Sequence, residues 1–161
     1  DVSFFPAWRY GATILPGKIL AEDVYNVVPT DGKIVTYNMN GKVLKELVEN
    51  ILQGVSGIDP YARVGGDMIR FSGMKLDCNL RAKAGSKIRS MMIGGQPMDE
   101  EKEYSIASVH TRFQNNPMFG ATNIKESNKI FVEELIEYVR QKSPLNVQLD
   151  NRINLKTIQF N

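Results

Sequence analysis

The stretch GKIVTYNMNGKVLKELVENILQG, residues 32–54, decides how this chain folds. Up to Met39 it alternates, with Ile34, Thr36 and Asn38 opposite Val35, Tyr37 and Met39, the two-residue period of a strand. At Asn40-Gly41 the period changes. Val43, Leu44, Leu47, Val48 and Leu52 then recur as one apolar stripe, the pattern of an amphipathic helix. Lys45 and Glu49, four residues apart, are expected to pair on its outer face, and Gly54 to stop it. A strand feeding directly into a helix implies a mixed α+β domain.

Upstream, KILAEDVYNVVP (18–29) places Ile19, Leu20, Val24, Val27 and Val28 at helical spacing until Pro29 ends the run. Before it, FFPAWRYGATILPG (4–17) crowds aromatics around Arg9 and closes on a Pro-Gly turn, while DVSFF reads as a strand. Downstream, VSGIDPYARVGG (55–66) is a Gly/Pro/Asp loop. Strands are expected in DMIRFSGMKLDCN, KIRSMMIGG and EYSIASVH, with polar turns around Arg81–Lys87 and Gly95–Lys102. TRFQNNPMFGATNIKE (111–126) reads as irregular. Ser127-Asn128 is expected to cap a helix in KIFVEELIEYVRQK, with Ile130, Phe131, Leu135, Ile136 and Val139 facing inward, and RINLKTI closes the chain as a short strand.

Composition narrows the function. At 161 residues, 42% hydrophobic and 24% charged, the chain is expected to form one globular domain, residues 1–161. A formal charge of +2 with no dense basic run argues against nucleic acid, and no apolar stretch approaches the roughly 20 residues of a membrane span. The chain starts in mid-strand without a Met, as a piece of a longer protein would. Cys78 stands alone and can form no intrachain disulfide.

Machinery for self-contained catalysis is sparse. His110 is the only histidine, too few for a zinc site, and no G-x-S-x-G elbow accompanies it. A packed or solvated His110 is the simpler reading and a catalytic one the alternative. Val64-Gly65-Gly66-Asp67 lacks the Lys-Ser/Thr of a phosphate loop and leads into a strand; its glycines either make a turn or let backbone approach a ligand closely. Trp8, Arg9 and Tyr10 also carry two readings. Either the aromatics are core and Arg9 a surface charge, or Arg9 presents its planar fork to a phosphate, sulfonate or carboxylate.

The order of segments then adds to this. DVSFFPAWRYG, LPGKILAEDVYNVVP, KIVTYNMNGKVLKELVENIL, IRFSGMKLDCN and GSKIRSMMIGGQPMDEEKEYSIAS together resemble the C-terminal domain of the 5′-nucleotidase family over roughly residues 1 to 142. That family's wording is an N-G-G-x-R loop, G-x-[IL]-T-x-x-D-[VL]-Y, T-G-x-x-L-K-x-x-L-E, [SG]-G-[LM]-x-[YL]-x-x-D and D-x-x-K-x-Y-x-[VI]-A. The resemblance implies a single mixed α/β domain that recognises substrate. It also implies a preceding metallophosphoesterase domain, absent from this chain, that holds two divalent metals and performs hydrolysis. On that reading the fragment alone is inactive, binds no metal or cofactor itself, and contains no catalytic residue.

The departures are informative. Family nucleotidases clamp the base between two phenylalanines, where this chain has Thr30 after Pro29 and, further on, Thr111. The N-G-G before the loop arginine is replaced near Phe5-Pro6-Ala7, and the family's G-G-D-G is replaced by NNPMFG. WRYGATILPG and DPYARVGGDMIRFSGMKLDCN resemble instead the SoxB-type thiosulfohydrolase branch, with its R-W-G-T-T-L-L-P-G and G-G-D-M-[VI]-R patterns. That likeness implies a periplasmic dimanganese hydrolase of sulfur oxidation, acting on a cysteine S-sulfonate carried by the mobile arm of a SoxYZ-type carrier. Arg9 would grip the sulfonate, Trp8 and Tyr10 would wall the channel, Gly65 and Gly66 would admit the arm, and Asp67 would orient Arg9 or an arm amide. The alternatives are a nucleotidase or 2′,3′-cyclic phosphodiesterase domain using Phe113 or Phe119 for its base, and a non-catalytic protein-binding module.

Overall fold

A computed structural model describes residues 1–5, 13–28, 32–57, 59–63, 70–109, 120–148 and 150–155. Strand β1 (Val2–Phe5) is followed by helix α1 (Ala21–Val27), strand β2 (Lys33–Asn40) and helix α2 (Gly41–Ser56). Next come β3 (Arg70–Ser72), β4 (Met74–Cys78), β5 (Ile88–Ile93), β6 (Gln96–Pro97), β7 (Glu103–Val109) and β8 (Thr122–Ile130). Helix α3 (Phe131–Lys142) and strand β9 (Ile153–Leu155) end the order. The strands form a five-stranded sheet, β3-β1-β7-β2-β8, and a four-stranded sheet, β6-β5-β4-β9. Both mix parallel with antiparallel pairs, as an α+β domain allows.

The decisive stretch folds as its two periods dictate. Val35, Tyr37 and Met39 of β2 are buried, and Leu44, Leu47, Val48 and Leu52 of α2 join them in one core with Val2, Phe4, Phe71, Tyr104 and Ile106. Met74, Leu76, Cys78, Met91 and Ile93 extend that core into the second sheet. The Asn40 side chain caps α2 by accepting the Lys42 N–H at 3.0 Å. The backbone turn before β7 meets one further helix-end donor, Gly41 N–H, through the Lys102 carbonyl, and its Glu100 carbonyl shares the Lys42 N–H with Asn40. Gly41 is required there, since a Cβ would sit 2.0 Å from the Asp99 carbonyl oxygen.

Several local expectations are corrected. Helix α2 passes through Gly54 and closes at Gly57, whose N–H bonds the Gln53 carbonyl; one interior glycine costs only about 1 kcal/mol, which the buried stripe outweighs. Glu49 is buried, and Lys45 pairs with Glu100 instead. Lys87, expected in a polar turn, is also buried. Residues 70–78 of the stretch expected as one strand hold two, because Gly73, at φ +81°, lets the chain leave one sheet for the other.

The expected cap at Ser127-Asn128 lies inside β8, which pairs with β2. Lys33 faces Ile130 and Val35 faces Glu126, so four steps of β8 match two of β2, and the Ser127 hydroxyl accepts the Lys129 N–H within this bulge. The ladder to β2 overrides the local capping preference. Helix α3 starts at Phe131, whose N–H bonds the Gly32 carbonyl at 2.9 Å. Its most buried residue is Val132, which sits with Val24 and Val28 in a second small core between α1 and α3. Successive residues of a strand point to opposite faces; Phe4 lies in the main core and Phe5 packs against the small one, which therefore covers the other side of the five-stranded sheet.

Candidate functional site

The directions of the strands bring the candidate residues' attachment points together. β1 and β7 are parallel and end at Phe5 and Val109; β2 and β3 run against them and begin at Lys33 and Arg70. Phe5 therefore faces Arg70, Val109 faces Ile34, and Lys33 faces Ile130, all at one end of the sheet. Residues 6–12, 29–31, 64–69 and 110–119 adjoin these strand ends and lie outside the described residues. They carry Trp8, Arg9 and Tyr10, Thr30, Gly65, Gly66 and Asp67, and His110, Thr111, Phe113 and Phe119.

Covalent geometry limits how far these residues can stray. Arg9 is four residues beyond Phe5, a reach of at most about 14 Å, and Asp67 is three before Arg70, about 11 Å. The Cα atoms of a facing antiparallel pair are only about 5 Å apart. Segments distant in sequence, 6–12 and 64–69, thus share one anchorage. The local sequence patterns contain no sign of it.

Part of the aromatic opening has a structural explanation. Phe4 is buried in the main core, and Phe5 packs against Phe131 with the rings tilted and their centroids 4.6 Å apart. That pair braces the sheet end through α3. On the approach to 64–69, a single 3-10 turn at Pro60–Ala62 is pinned at both ends. The Asp59 carboxylate accepts the Tyr61 N–H at 2.9 Å, and Arg63 Nε donates to the Gly57 carbonyl at 2.7 Å. Tyr61 itself is 97% exposed.

Beyond 64–69, Arg152 ties the two sheets together. Its guanidinium donates to the Phe71 carbonyl of β3, while its own carbonyl accepts the Leu76 N–H of β4 at 2.8 Å. Asp150 holds the guanidinium in two bonds, and that pairing lowers the Asp150 carboxyl below its ordinary range. Arg70, the first residue of β3, is exposed and makes no ion pair among the described residues. In sequence, Arg70 closes the run Gly65-Gly66-Asp67-Met68-Ile69-Arg70. Among the described residues, no three His, Cys, Asp or Glu side chains group as a metal site.

The described residues thus form a mixed sheet in which the ends of β1, β7 and β8 and the starts of β2 and β3 lie together at one end. Residues 1–123 match the 5′-nucleotidase C-terminal domain family, and the chain belongs to it. Within that family it is similar to the sulfate thiohydrolase SoxB of Thermus thermophilus, solved with glycerol: TM-score 0.83 and 26% identity, over 99% of this chain and 29% of that one. It is also similar to the NAD 5′-nucleotidase of Haemophilus influenzae, 26% identical over 120 residues, which is 67% of this chain and 18% of the relative. A 5′-nucleotidase precursor, also from Thermus thermophilus, shares the fold at TM-score 0.77 and 20% identity, over 96% of this chain and 31% of that one. The chain thus spans less than a third of each of these relatives.

Proposed function

We propose that this chain is the substrate-recognition domain of a SoxB-like hydrolase that releases sulfate from a cysteine S-sulfonate on a SoxYZ-type carrier. The full protein would be periplasmic, with a metallophosphoesterase domain preceding this one. Two divalent metals there, manganese on this reading, would supply Lewis acidity and an activated water. Water would add to the sulfonate sulfur as the sulfur–sulfur bond breaks; that bond's electron pair leaves with the carrier sulfur as thiolate, and the water's two protons pass to solvent as sulfate is released. In this chain, Arg9 complements the sulfonate charge, Trp8 and Tyr10 line the approach, Gly65 and Gly66 give room to the carrier arm, and Asp67 orients Arg9 or an arm amide.

The observation that carries this reading is the likeness to SoxB along nearly the whole chain. Thr30 and Thr111 support it, because they offer no stacking faces where nucleotidases clamp a base. The second reading, a nucleotidase domain, is favoured by the similarity to the Haemophilus enzyme.

The test is Arg9→Ala in the full-length enzyme, assayed on carrier-bound S-sulfonate. A lost charge-assisted bond in a desolvated site predicts a fall of about ten- to a hundredfold with an unchanged melting temperature. Arg9→Lys should recover part of it, keeping the charge but losing the planar fork. Turnover equal to wild type for Arg9→Ala would end the role given to Arg9. Absence of sulfate release by the wild-type enzyme would end the SoxB-like reading itself.

A further inference from the structure

Asn40-Gly41 is the chain's one Asn-Gly pair, the dipeptide in which an asparagine side chain is most open to attack by the backbone that follows it. The Gly41 nitrogen adds to the Asn40 side-chain carbonyl carbon, ammonia leaves, and a five-membered succinimide forms. Water then opens the ring at either carbonyl. One product is aspartate. The other is isoaspartate, in which the backbone runs through the former side chain and is one methylene longer. Glycine favours the reaction because no Cβ hinders the approach.

The fold keeps the reacting atoms apart. Asn40 has φ −65° and ψ 143°, and ring closure needs ψ turned by roughly a quarter revolution, out of the extended region. The attacking nitrogen is occupied, since Gly41 N–H donates to the Lys102 carbonyl at 2.8 Å. Asn40 Oδ1 is held by the Lys42 N–H at 3.0 Å. Gly41 is buried with no room to swing: a Cβ on it would lie 2.0 Å from the Asp99 carbonyl oxygen and 2.9 Å from Met98 Sδ. Asn40 also pairs with Glu103 at the end of the β2–β7 ladder. Ring closure therefore requires the β2–α2 junction to part from the turn before β7.

We infer that Asn40-Gly41 is a modification site gated by unfolding, silent in the native domain and converted to aspartate and isoaspartate in chains whose β2–α2 junction has opened. The two products differ in consequence. Aspartate caps a helix as well as asparagine does, and its charge suits a helix N-terminus. Isoaspartate lengthens the backbone where Gly41 is wedged against Asp99, so it displaces α2, whose Leu44, Leu47 and Leu52 fill the main core. A chain that stays open long enough to form isoaspartate cannot return to the native state. None of this depends on the substrate proposed above. The competing explanation is that the pair behaves as an exposed turn and deamidates equally fast folded or unfolded.

The experiment ages the full-length protein at mildly alkaline pH, in buffer and in guanidinium chloride, and follows the tryptic peptide 34–42 by mass spectrometry. Deamidation in buffer should be more than about tenfold slower than in denaturant, because it proceeds only through the rare open state. A smaller ratio overturns the gating. The denaturant-aged chains are then returned to buffer, and the soluble, protease-resistant protein is compared with the input. Isoaspartate should be strongly depleted in that refolded fraction while aspartate keeps its share; equal shares overturn the claim that isoaspartate bars refolding. Asn40→Asp, made directly, should melt within about 3 °C of wild type. A larger fall overturns the harmless role given to the aspartate product.

Discussion

Glu49 of α2 holds the beginning of β5 at Ile88: its Oε1 accepts the Ile88 N–H at 2.7 Å. Its Oε2 accepts the adjacent Lys87 N–H at 3.1 Å, so one carboxylate joins the helix to the second sheet. The Lys87 ammonium turns away to the carbonyls of Leu80 and Ala82. The contact matters because both ends are shielded from water: Glu49 is 7% exposed and Lys87 1%.

Glu49→Ala should therefore be among the costlier substitutions in the domain. It strands two backbone donors at about 1–3 kcal/mol each, giving a loss of roughly 2–6 kcal/mol. Glu49→Gln, with a single amide oxygen for two donors, should fall between. Urea denaturation of the three proteins checks this ordering; an Ala variant as stable as wild type would refute it.

Gly73 and Gly85 have similar positive φ, +81° and +75°, in very different surroundings. A Cβ on Gly73 would lie 2.0 Å from the Asp1 carbonyl oxygen, whereas one on Gly85 meets nothing within 4 Å. Gly85→Ala should lose about 1–2 kcal/mol from backbone strain alone. Gly73→Ala should lose about 1–3 kcal/mol more, because β1 must move. Equal losses would mean that the close approach of β1 is relieved at no cost.

Tyr37 gives a pH signature. Its phenol is buried with no hydrogen bond of normal geometry, and burial pushes its pKa up to about 12, against a weaker lowering by the nearby Ser108 hydroxyl. The folded chain thus favours the protonated phenol, so this contribution is intact below about pH 10 and is lost as pH rises from there through about 12. Tyr37→Phe should flatten that part of the stability curve. At neutral pH it should cost little, since it removes a polar group that has no partner. Denaturation midpoints of both proteins between about pH 9 and 12 give the comparison, and parallel curves would count against it.

Nucleotide binding separates the two functional readings. With threonine at positions 30 and 111, adenosine and AMP should bind the full-length protein poorly, lacking about 1–3 kcal/mol per missing stacking face. Calorimetry on the full-length protein measures this directly. Low-micromolar adenosine affinity would favour the nucleotidase reading.

The sequence alone carried the elements whose burial is one-sided. Val35, Tyr37 and Met39, and the stripe from Val43 to Leu52, announce β2 and α2 because apolar residues on one face must be covered wherever they occur. The motif order carried the family, and the missing phenylalanines bear on the substrate class. Tertiary structure decided what local pattern cannot encode. Ser127 and Asn128 have the chemistry of a helix cap, yet the ladder to β2 takes them into a strand. Glu49 has the spacing of a surface ion pair with Lys45, yet the backbone donors of β5, far along the chain, draw it inside. The shared anchorage of the Arg9 and Asp67 segments follows from β3 running against β1, a pairing between residues about 65 apart in sequence. Such pairings depend on the free energy of the whole sheet, which no window of a few residues contains.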